Sequence, residues 1–282
     1  MMNIDQLKQT ATQTRRDIIR MISAVNSGHP GGSLGCADLM TALFSGGVLE
    51  QTPKTWRPDG KGQDMFFLSI GHLSALYYSA LARAGYFDIK ELSTFRKYGS
   101  RLQGHPTPEK NLPGIHIATG SLGQGLSVAC GAALAKRLNK EDKLVYVLMG
   151  DGELEEGQNW EAAMFANARE IDNLIAIVDW NSKQIDGDTE DVLKLGDLEA
   201  KWKSFGWQTV LMNGNDMNDV LRGLDEAKSL TKKKKPVIIL MKTEMGHGVD
   251  FMIGTHAWHG KAPNAEQTEK ALAQLPETLG DY

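Results

Sequence analysis

The sequence predicts an α/β fold, a mainly parallel, doubly wound sheet with helices on both faces, and three observations support this prediction. Five short apolar runs are continuous rather than alternating, as strands covered on both faces require. Stretches with the composition of helices separate most of these runs, which is typical of a parallel sheet. Polar and glycine residues follow several runs, at the strand ends where such sheets bind ligands.

The predicted elements follow in order along the chain. A polar, amphipathic helix opens the sequence over residues 1–22. The five predicted strands are 65–70, 144–149, 174–178, 208–212 and 237–241. The helices predicted between and around them are 122–138, 160–170, 198–205 and 217–230. We interpret 1–282 as one domain with a loop-rich N-terminal third, a core sheet over about 60–245, and a tail over about 261–282 that forms a capping helix plus a free end.

Composition and charge narrow the function classes. Of the 282 residues, 41% are hydrophobic and 23% charged, as in an ordinary globular protein. A net charge of -4 gives no reason to expect a nucleic acid or an anionic membrane as partner. No apolar run approaches the ~20 residues of a membrane span, and the first helix is too polar for a signal peptide. Cys36 and Cys130 lack metal-ligand spacing and are expected to be buried, reduced thiols, so we expect a cytoplasmic protein.

Two predicted strands run into residues suited to a metal and a diphosphate. Asp151 and Asn181, 30 residues apart, follow consecutive strands, and a βαβ unit brings such strand ends side by side. Mg²⁺ prefers carboxylate and amide oxygens, and a backbone carbonyl near Lys183 is a candidate for a third ligand. Gly152 allows close approach of a phosphate, which the next helix N-terminus also attracts. The alternative, an ordinary strand-end turn capped by Asp151, would fit a bare Gly-Asp-Gly.

Four histidines share an unusual setting, each beside a glycine in a predicted turn where its ring can point into a cleft. They are His29, His72, His105 and His259. Imidazoles that bind phosphate or hydroxyl groups and move protons explain this pattern. Zinc binding is the alternative, supported only by the three-residue spacing of His256 and His259.

Seven segments, in order along nearly the whole chain, resemble the transketolase family. They are SGHPGGSLG, SIGHLSALYY, LQGHP, IATGSLGQGLSVA, GDGELEEGQNWEA, VDWNSKQIDG and KTEMGHGV…HAWHG. The Gly-Asp-Gly to Asn element is shared by thiamine-diphosphate enzymes in general, 1-deoxyxylulose-5-phosphate synthase included. The first and fourth segments match transketolase better. The resemblance implies the thiamine-diphosphate-binding fold of those enzymes.

The resemblance assigns a metal and diphosphate role to one group of residues. Asp151, Asn181 and the Lys183 carbonyl look like ligands of Mg²⁺ or Ca²⁺, and the Gly152 N–H looks like a donor to the diphosphate. The implied cofactor is thiamine diphosphate, an electron sink for cleavage of a carbon–carbon bond.

A second group would contact the rest of the cofactor. His72 and His259 resemble the histidines that touch the diphosphate and the substrate side of the cofactor. Gly120 and Leu122 resemble the loop whose main chain touches the cofactor ring.

A third group would serve substrate and assembly. His29 and His105 resemble the histidines that hydrogen-bond sugar hydroxyls. Glu156 resembles the carboxylate of a proton network between subunits, and Glu161 has the position of a buried structural acid. The implied reaction moves a two-carbon unit from a ketose phosphate to an aldose phosphate.

Transketolases also carry a pyrimidine-binding domain and a C-terminal domain, which cannot be located here. Only about twenty residues follow HAWHG. We therefore expect a partner subunit that supplies these domains, in an assembly of two copies of each chain (α2β2). A piece of one long chain is the alternative.

Three positions depart from the family pattern: Lys183, Asp188 and Trp258. They are expected to face the substrate entrance, so an unusual sugar or sulfosugar is an open alternative. A non-catalytic thiamine-diphosphate-binding subunit is another, although the retained Asp151, Asn181 and histidines argue against it. A dinucleotide-binding dehydrogenase is disfavoured, because Gly120, Gly123 and Gly125 do not have the Gly-x-Gly-x-x-Gly spacing.

Overall fold

A five-stranded parallel sheet forms the centre of the molecule. The structure, a computed structural model, describes residues 2–282. The strands of the sheet are β1 Met65–Leu68, β2 Val145–Gly150, β3 Leu174–Trp180, β6 Gln208–Asn213 and β7 Val237–Lys242, in the order β1-β2-β3-β7-β6. A separate two-stranded hairpin joins β4 Lys183–Gln184 to β5 Gly187–Asp188. The predicted parallel sheet is confirmed, with strand ends shifted by one or two residues.

Helices cover both faces of the sheet. They are α1 Ile4–Ala24, α2 Pro30–Gly35, α3 Ala37–Phe44, α4 Ser74–Arg83, α5 Gly125–Leu138, α6 Gly157–Ala168, α7 Thr189–Val192, α8 Leu198–Ser204, α9 Met217–Leu230 and α10 Ala265–Gln274. The side chain of Asn3 caps α1 and that of Asn264 caps α10, each in a capping box with the glutamine three residues later.

Alternate residues of each strand enter two different cores, which explains the continuous apolar runs. Tyr146 and Leu148 of β2 pack with α1, α3, α4 and α9 on one face. Val145 and Val147 pack with α5, α6 and α8 on the other. All four side chains are fully buried, so the strand does not alternate between polar and apolar residues.

The N-terminal third contains more helix than predicted. Helices α1 to α4 lie within it, and the loops are concentrated between α3 and β1 and between α4 and α5. Helix α5 also begins three residues later than expected, at Gly125. The reason is local: the Gly123 N–H donates to Glu153 Oε1 (2.7 Å) and the Gly125 N–H to Ser69 Oγ (3.1 Å). These contacts hold the preceding segment as a loop.

The C-terminal end is docked, so the expectation of a free end is wrong. Arg16 Nε of α1 lies 2.8 Å from Asp281 Oδ1, and the Arg20 guanidinium stands 4.2 Å from the centre of the Tyr282 ring. The Thr278 N–H donates to Gln13 Oε1 (2.9 Å). The last residues therefore close over the outer face of α1.

The helices lack the length and the apolar character of membrane spans. Within residues 2–282, no helix is both long enough and apolar enough to cross a bilayer.

Candidate active site

The ends of β2 and β3 bring the two predicted metal-binding side chains together. Gly150 is in register with Asp179, so Asp151 and Asn181 follow at the same edge of the sheet. Asp151 is 1% exposed. Its Oδ1 accepts the Gly152 N–H (2.8 Å) and its Oδ2 the Ser182 N–H (2.5 Å). The turn after β3 is thus tied to the turn after β2.

Asp179 is a second buried acid at this edge, and no motif in the sequence marked it. Asn181 Nδ2 donates to Asp179 Oδ2 (2.9 Å), and the Thr243 hydroxyl donates to Oδ1. Burial, and then the neighbouring Asp179 charge, raise the pKa of Asp151 to about 8. Among residues 2–282, no lysine, arginine or histidine pairs with either carboxyl. A cation bound at this edge would therefore lower the free energy of ionising these two buried carboxyl groups.

The donor set fits a divalent cation that shares its coordination with a ligand. In the described part of the chain, no three His, Cys, Asp or Glu side chains gather to hold a metal. Asp151, the amide oxygen of Asn181 and the main chain at Lys183 supply only part of a Mg²⁺ shell, so phosphate oxygens would have to complete it.

Glu153 is the buried acid of this region, and the prediction that Glu161 is buried was wrong. Glu161 is exposed on α6. Glu153 Oε1 accepts the Gly123 N–H and the Ser69 hydroxyl, and Oε2 accepts the Gly150 N–H (3.1 Å). One carboxyl thus joins β1, the loop before α5 and the end of β2. Because Glu153 lies in a run of acidic residues, nothing in the sequence distinguished it as the buried one.

Three of the predicted histidines form a ring cluster against this edge. The ring centres of His29 and His72 are 5.0 Å apart, those of His72 and His259 5.2 Å, and those of His29 and His259 5.7 Å. Burial, followed by the neighbouring His259, lowers the pKa of His29 to about 4. Burial likewise lowers the pKa values of His72 and His259. The cluster is therefore neutral at pH 7, and its rings can donate and accept hydrogen bonds.

Two buried ring nitrogens in this cluster have no partner within residues 2–282: His29 Nδ1 and His259 Nδ1. Buried polar atoms are nearly always hydrogen-bonded. These atoms therefore indicate a polar ligand or water.

His105 stands apart from the cluster, exposed at the edge of the same cavity. Gly120 has a left-handed φ of 141°, and a Cβ there would lie 3.1 Å from His105 Cδ2. Arg96, which the sequence analysis missed, donates from Nη1 to Ser27 Oγ (2.8 Å) and from Nη2 to the Gly104 carbonyl (3.2 Å). It joins the segments that carry His29 and His105. No motif marked it, because its partners are distant in sequence.

One cavity of about 270 Å³ collects nearly all predicted site residues. It is lined by His29, His72, His105, Gly120, Leu122, Asp151, Gly152, Asn181, Lys183 and His259. Glu156 is the exception: it is exposed at the start of α6, behind the loop at Gly123. We call this space the active cavity.

The three departures from the family pattern do not share one location. Lys183 lines the active cavity, and its Nζ lies 2.6 Å from Asp188 Oδ2 across the β4–β5 hairpin. Trp258 is 6% exposed and packs edge-on against Phe251, with ring centres 5.4 Å apart. The expectation that Trp258 faces the substrate entrance is therefore wrong.

Comparisons with known proteins agree on one family. A family model described as "Transketolase, thiamine diphosphate binding domain" matches residues 7–278. An apulose-4-phosphate transketolase subunit of Phocaeicola vulgatus is 37% identical over 99% of this chain and 96% of its own length. A 6-deoxy-6-sulfo-D-fructose transketolase subunit of Clostridium sp. is 37% identical over 95% of this chain and 96% of its own length.

A solved structure extends the comparison to a longer chain. Transketolase from Campylobacter jejuni superposes with a TM-score of 0.88 at 34% identity, over 97% of this chain and 43% of that one. This chain therefore matches the two subunits over nearly their full length and the longer enzyme over less than half of its length.

Proposed function

This chain belongs to the transketolase family, in which it corresponds to the thiamine-diphosphate-binding domain, and from this premise we propose that it is one subunit of a split transketolase. Such an enzyme transfers a two-carbon ketol unit from a ketose phosphate to an aldose phosphate. One observation carries the proposal: three clustered imidazoles and the buried Asp151 carboxyl, which has no cationic partner among the described residues, line one cavity at the ends of β2 and β3.

Asp151, Gly152 and Asn181 would hold the diphosphate of the cofactor together with Mg²⁺ or Ca²⁺. The buried Asp151 and Asp179, which lack a cationic partner among the described residues, support the metal. Since the side chains alone do not complete a metal shell, metal and diphosphate are expected to bind together. Gly120 and Leu122 line the same cavity and would contact the cofactor through their main chain.

When bound, thiamine diphosphate would supply a nucleophilic carbon and a positively charged ring that takes up the electron pair of the broken carbon–carbon bond. The chain's own part is to orient the reactants and to move protons. Because His29, His72 and His259 are neutral, each can accept a proton at one nitrogen while donating from the other. His105, at the exposed edge, would hold a sugar hydroxyl.

The pyrimidine-binding and C-terminal domains would come from a partner subunit, in an α2β2 assembly. Two relatives that are themselves named as transketolase subunits match this chain over nearly their full length, which supports a separate partner. So does the outer face of α6, where Met164 is 56% and Phe165 42% exposed. Glu156 and Glu161 are exposed on the same helix or at its start. That position suits the inter-subunit proton network proposed for Glu156.

We place the enzyme in the cytoplasm. Cys36 and Cys130 are both buried and unpaired, in accord with a reducing compartment. Burial raises the pKa of both thiols, so neither is a reactive thiolate.

An unusual sugar is the second candidate substrate. The Lys183–Asp188 pair fixes the hairpin beside the active cavity, where it changes the charge and shape offered to a substrate. Two relatives are named for apulose 4-phosphate and for a sulfofructose, so sugars other than the common pentose phosphates are known for similar proteins. A deoxyxylulose-phosphate synthase and a non-catalytic binding subunit have no such feature in their favour.

A ketol-transfer assay tests the proposal. This chain is mixed with thiamine diphosphate, Mg²⁺, xylulose 5-phosphate and ribose 5-phosphate, alone and with the polypeptide that co-purifies from its own cells. Turnover only in the mixture supports the split enzyme. Turnover by this chain alone contradicts the need for a partner.

Direct titration of the cofactor separates the remaining outcomes. Cofactor binding without turnover on common pentose phosphates, but with turnover on apulose 4-phosphate or 6-deoxy-6-sulfofructose, favours the second substrate class. Binding without turnover on any of these sugars contradicts the catalytic assignment.

A further inference from the structure

The side-chain amide of Asn181 can bind a cation through its oxygen but not through its nitrogen. Its Nδ2 donates to Asp179 Oδ2 (2.9 Å), while its Oδ1 accepts the Lys183 N–H (2.9 Å). A carboxylate only accepts hydrogen bonds, so Asp179 requires the nitrogen end of the amide to face it. The oxygen end then lies on the side of Lys183, which lines the active cavity.

Asp179 itself is held in a fixed position. It lies in β3, in register with Gly150 of β2, and is 2% exposed. The Thr243 hydroxyl, directly after β7, donates to its Oδ1. A Cβ added at Gly32 of α2 would lie 3.8 Å from its Oδ2, so this helix packs closely against the carboxyl. Because both oxygens are bonded in a buried place, turning the carboxyl away from Asn181 would leave polar atoms unpaired.

We propose that Asp179 is a positioning residue: it orients the Asn181 amide so that the amide oxygen is available to the divalent cation. This inference rests on the proposed function, because that cation is the one expected at Asp151 and Asn181. Within residues 2–282, Asp179 is the one side chain that is hydrogen-bonded to this amide. Removing a group that orients a metal ligand typically lowers metal affinity about 10- to 100-fold.

Two other roles for this acid are separable from positioning: it could act by its charge alone, or it could bind the cation directly. Neither of these depends on the side chain at position 181, whereas positioning requires an amide there. The test therefore compares Asp179→Asn in the wild-type chain with Asp179→Asn in an Asn181→Ala background. Thiamine diphosphate with Mg²⁺ is titrated calorimetrically into each variant of the full chain.

We expect Asp179→Asn to lower the affinity about 10- to 100-fold in the wild-type chain, and less than about threefold once Asn181→Ala has removed the amide. Equal losses in the two backgrounds overturn the inference, since they would show that Asp179 does not act through Asn181. An unchanged affinity in the first background overturns it as well.

Asp64→Asn is the matched control, because Asp64 is also 2% exposed but precedes β1, at the amino ends of the strands. Its carboxyl accepts the N–H groups of Glu50 and Leu144, each at 2.9 Å. The substitution should lower the free energy of unfolding, measured with denaturant, and leave the cofactor affinity unchanged. A loss of affinity equal to that of Asp179→Asn would be a general effect of removing a buried acid, and would overturn the inference.

NMR of the ligand-free wild-type chain decides the question even if Asp179→Asn does not fold. The side-chain amide protons of Asn181, bonded to a buried carboxylate, should exchange slowly with solvent. Exchange as fast as that of the exposed Asn139 overturns the inference. If exchange is slow, but neither this chain nor its assembly with the partner binds thiamine diphosphate with Mg²⁺, the proposed function is overturned instead.

Discussion

The floor and the rim of the active cavity are organised in opposite ways. The floor is the set of acids at the strand ends, Asp151, Glu153 and Asp179, each at most 2% exposed. All three accept hydrogen bonds from groups fixed by the sheet or by its connecting loops. Its geometry is therefore present in this chain before any ligand arrives.

The rim exposes side chains that have little to contact. We define it as the β4–β5 hairpin, whose Ile185 lines the cavity and is 61% exposed, together with Glu156 and Phe165 at the start and on the outer face of α6, which lie outside the cavity lining. The hairpin is held by the Lys183–Asp188 pair and by the bond from Gln184 Nε2 to Glu155 Oε1 (2.8 Å). The fold of this chain therefore fixes the geometry of the floor. The rim, in contrast, leaves side chains exposed, where a partner subunit and a substrate can contact them.

The largest expected effect is at the floor, in Asp151→Asn. The change keeps the shape but removes the charge that a divalent cation requires, so we expect the affinity for thiamine diphosphate with Mg²⁺ to fall about 100-fold or more. Isothermal titration of this chain measures it. Asp191→Asn, at an exposed position of α7, is the matched control. An affinity within twofold of wild type would remove Asp151 from the metal site.

Glu153→Gln tests whether the floor is held by one carboxyl. The amide group replaces an acceptor by a donor, which must then face the N–H of Gly123 or Gly150. We expect a loss of about 1–3 kcal/mol in the free energy of unfolding, measured with denaturant. The exposed Glu161→Gln should stay within about 0.5 kcal/mol. Equal losses in the two variants would show that Glu153 does not organise the floor.

The histidine cluster adjoining the floor predicts a pH dependence. The pKa of His29 is about 4 in the folded chain, below the usual 6.5, so the unfolded chain binds its proton more readily. His29 therefore contributes stability that is complete above pH 6.5 and is lost as the pH falls toward 4, about 1–2 kcal/mol between pH 7 and 5.

Thermal unfolding of wild type and His29→Gln over this range measures the effect. The substitution should flatten the profile, since it removes the ring that resists protonation. His247→Gln, which leaves the cluster intact, is the matched control. A profile with the wild-type slope in His29→Gln would contradict the prediction.

Changes to the α6 part of the rim are expected to weaken association with the partner subunit rather than folding of this chain. Met164→Ser/Phe165→Ser removes two exposed apolar side chains from α6, so partner affinity should fall about 10-fold while the stability of this chain changes little. Activity titrated with the partner subunit measures it. Leu138→Ser, 82% exposed at the end of α5, serves as control. If Leu138→Ser weakens association with the partner subunit as much as Met164→Ser/Phe165→Ser does, the prediction is wrong.

The smallest effect is expected in the hairpin of the rim. The Lys183–Asp188 pair is partly exposed, with side-chain exposures of 17% and 43%, so water screens it. A double-mutant cycle of Lys183→Gln and Asp188→Asn should give a coupling of about 0.2–1 kcal/mol in the free energy of unfolding. A coupling above about 2 kcal/mol would show that the hairpin, like the floor, is held firmly by the fold of this chain.

Local patterns were sufficient for the sheet and for much of the floor. Continuous apolar runs identified all five strands of the parallel sheet, because both faces of each strand are covered. The spacing from Asp151 to Asn181 predicted their meeting, since a βαβ unit places consecutive strand ends at one edge. The four histidines that the sequence singled out beside glycines, His29, His72, His105 and His259, all line the active cavity.

The sequence by itself determined the parallel sheet and the residues that its strand ends present, since both depend on short-range periodicity and on the geometry of one connection. Only the tertiary structure decided which acid is buried and which is exposed. The buried Glu153 accepts hydrogen bonds from Ser69, 84 residues away in the sequence, and from Gly123, 30 residues away. Glu161 has no such donors and is exposed. The link from Arg96 to Ser27, 69 residues apart, has the same origin. The burial of a charge depends on partners that the fold brings from distant parts of the chain, and no local pattern encodes them.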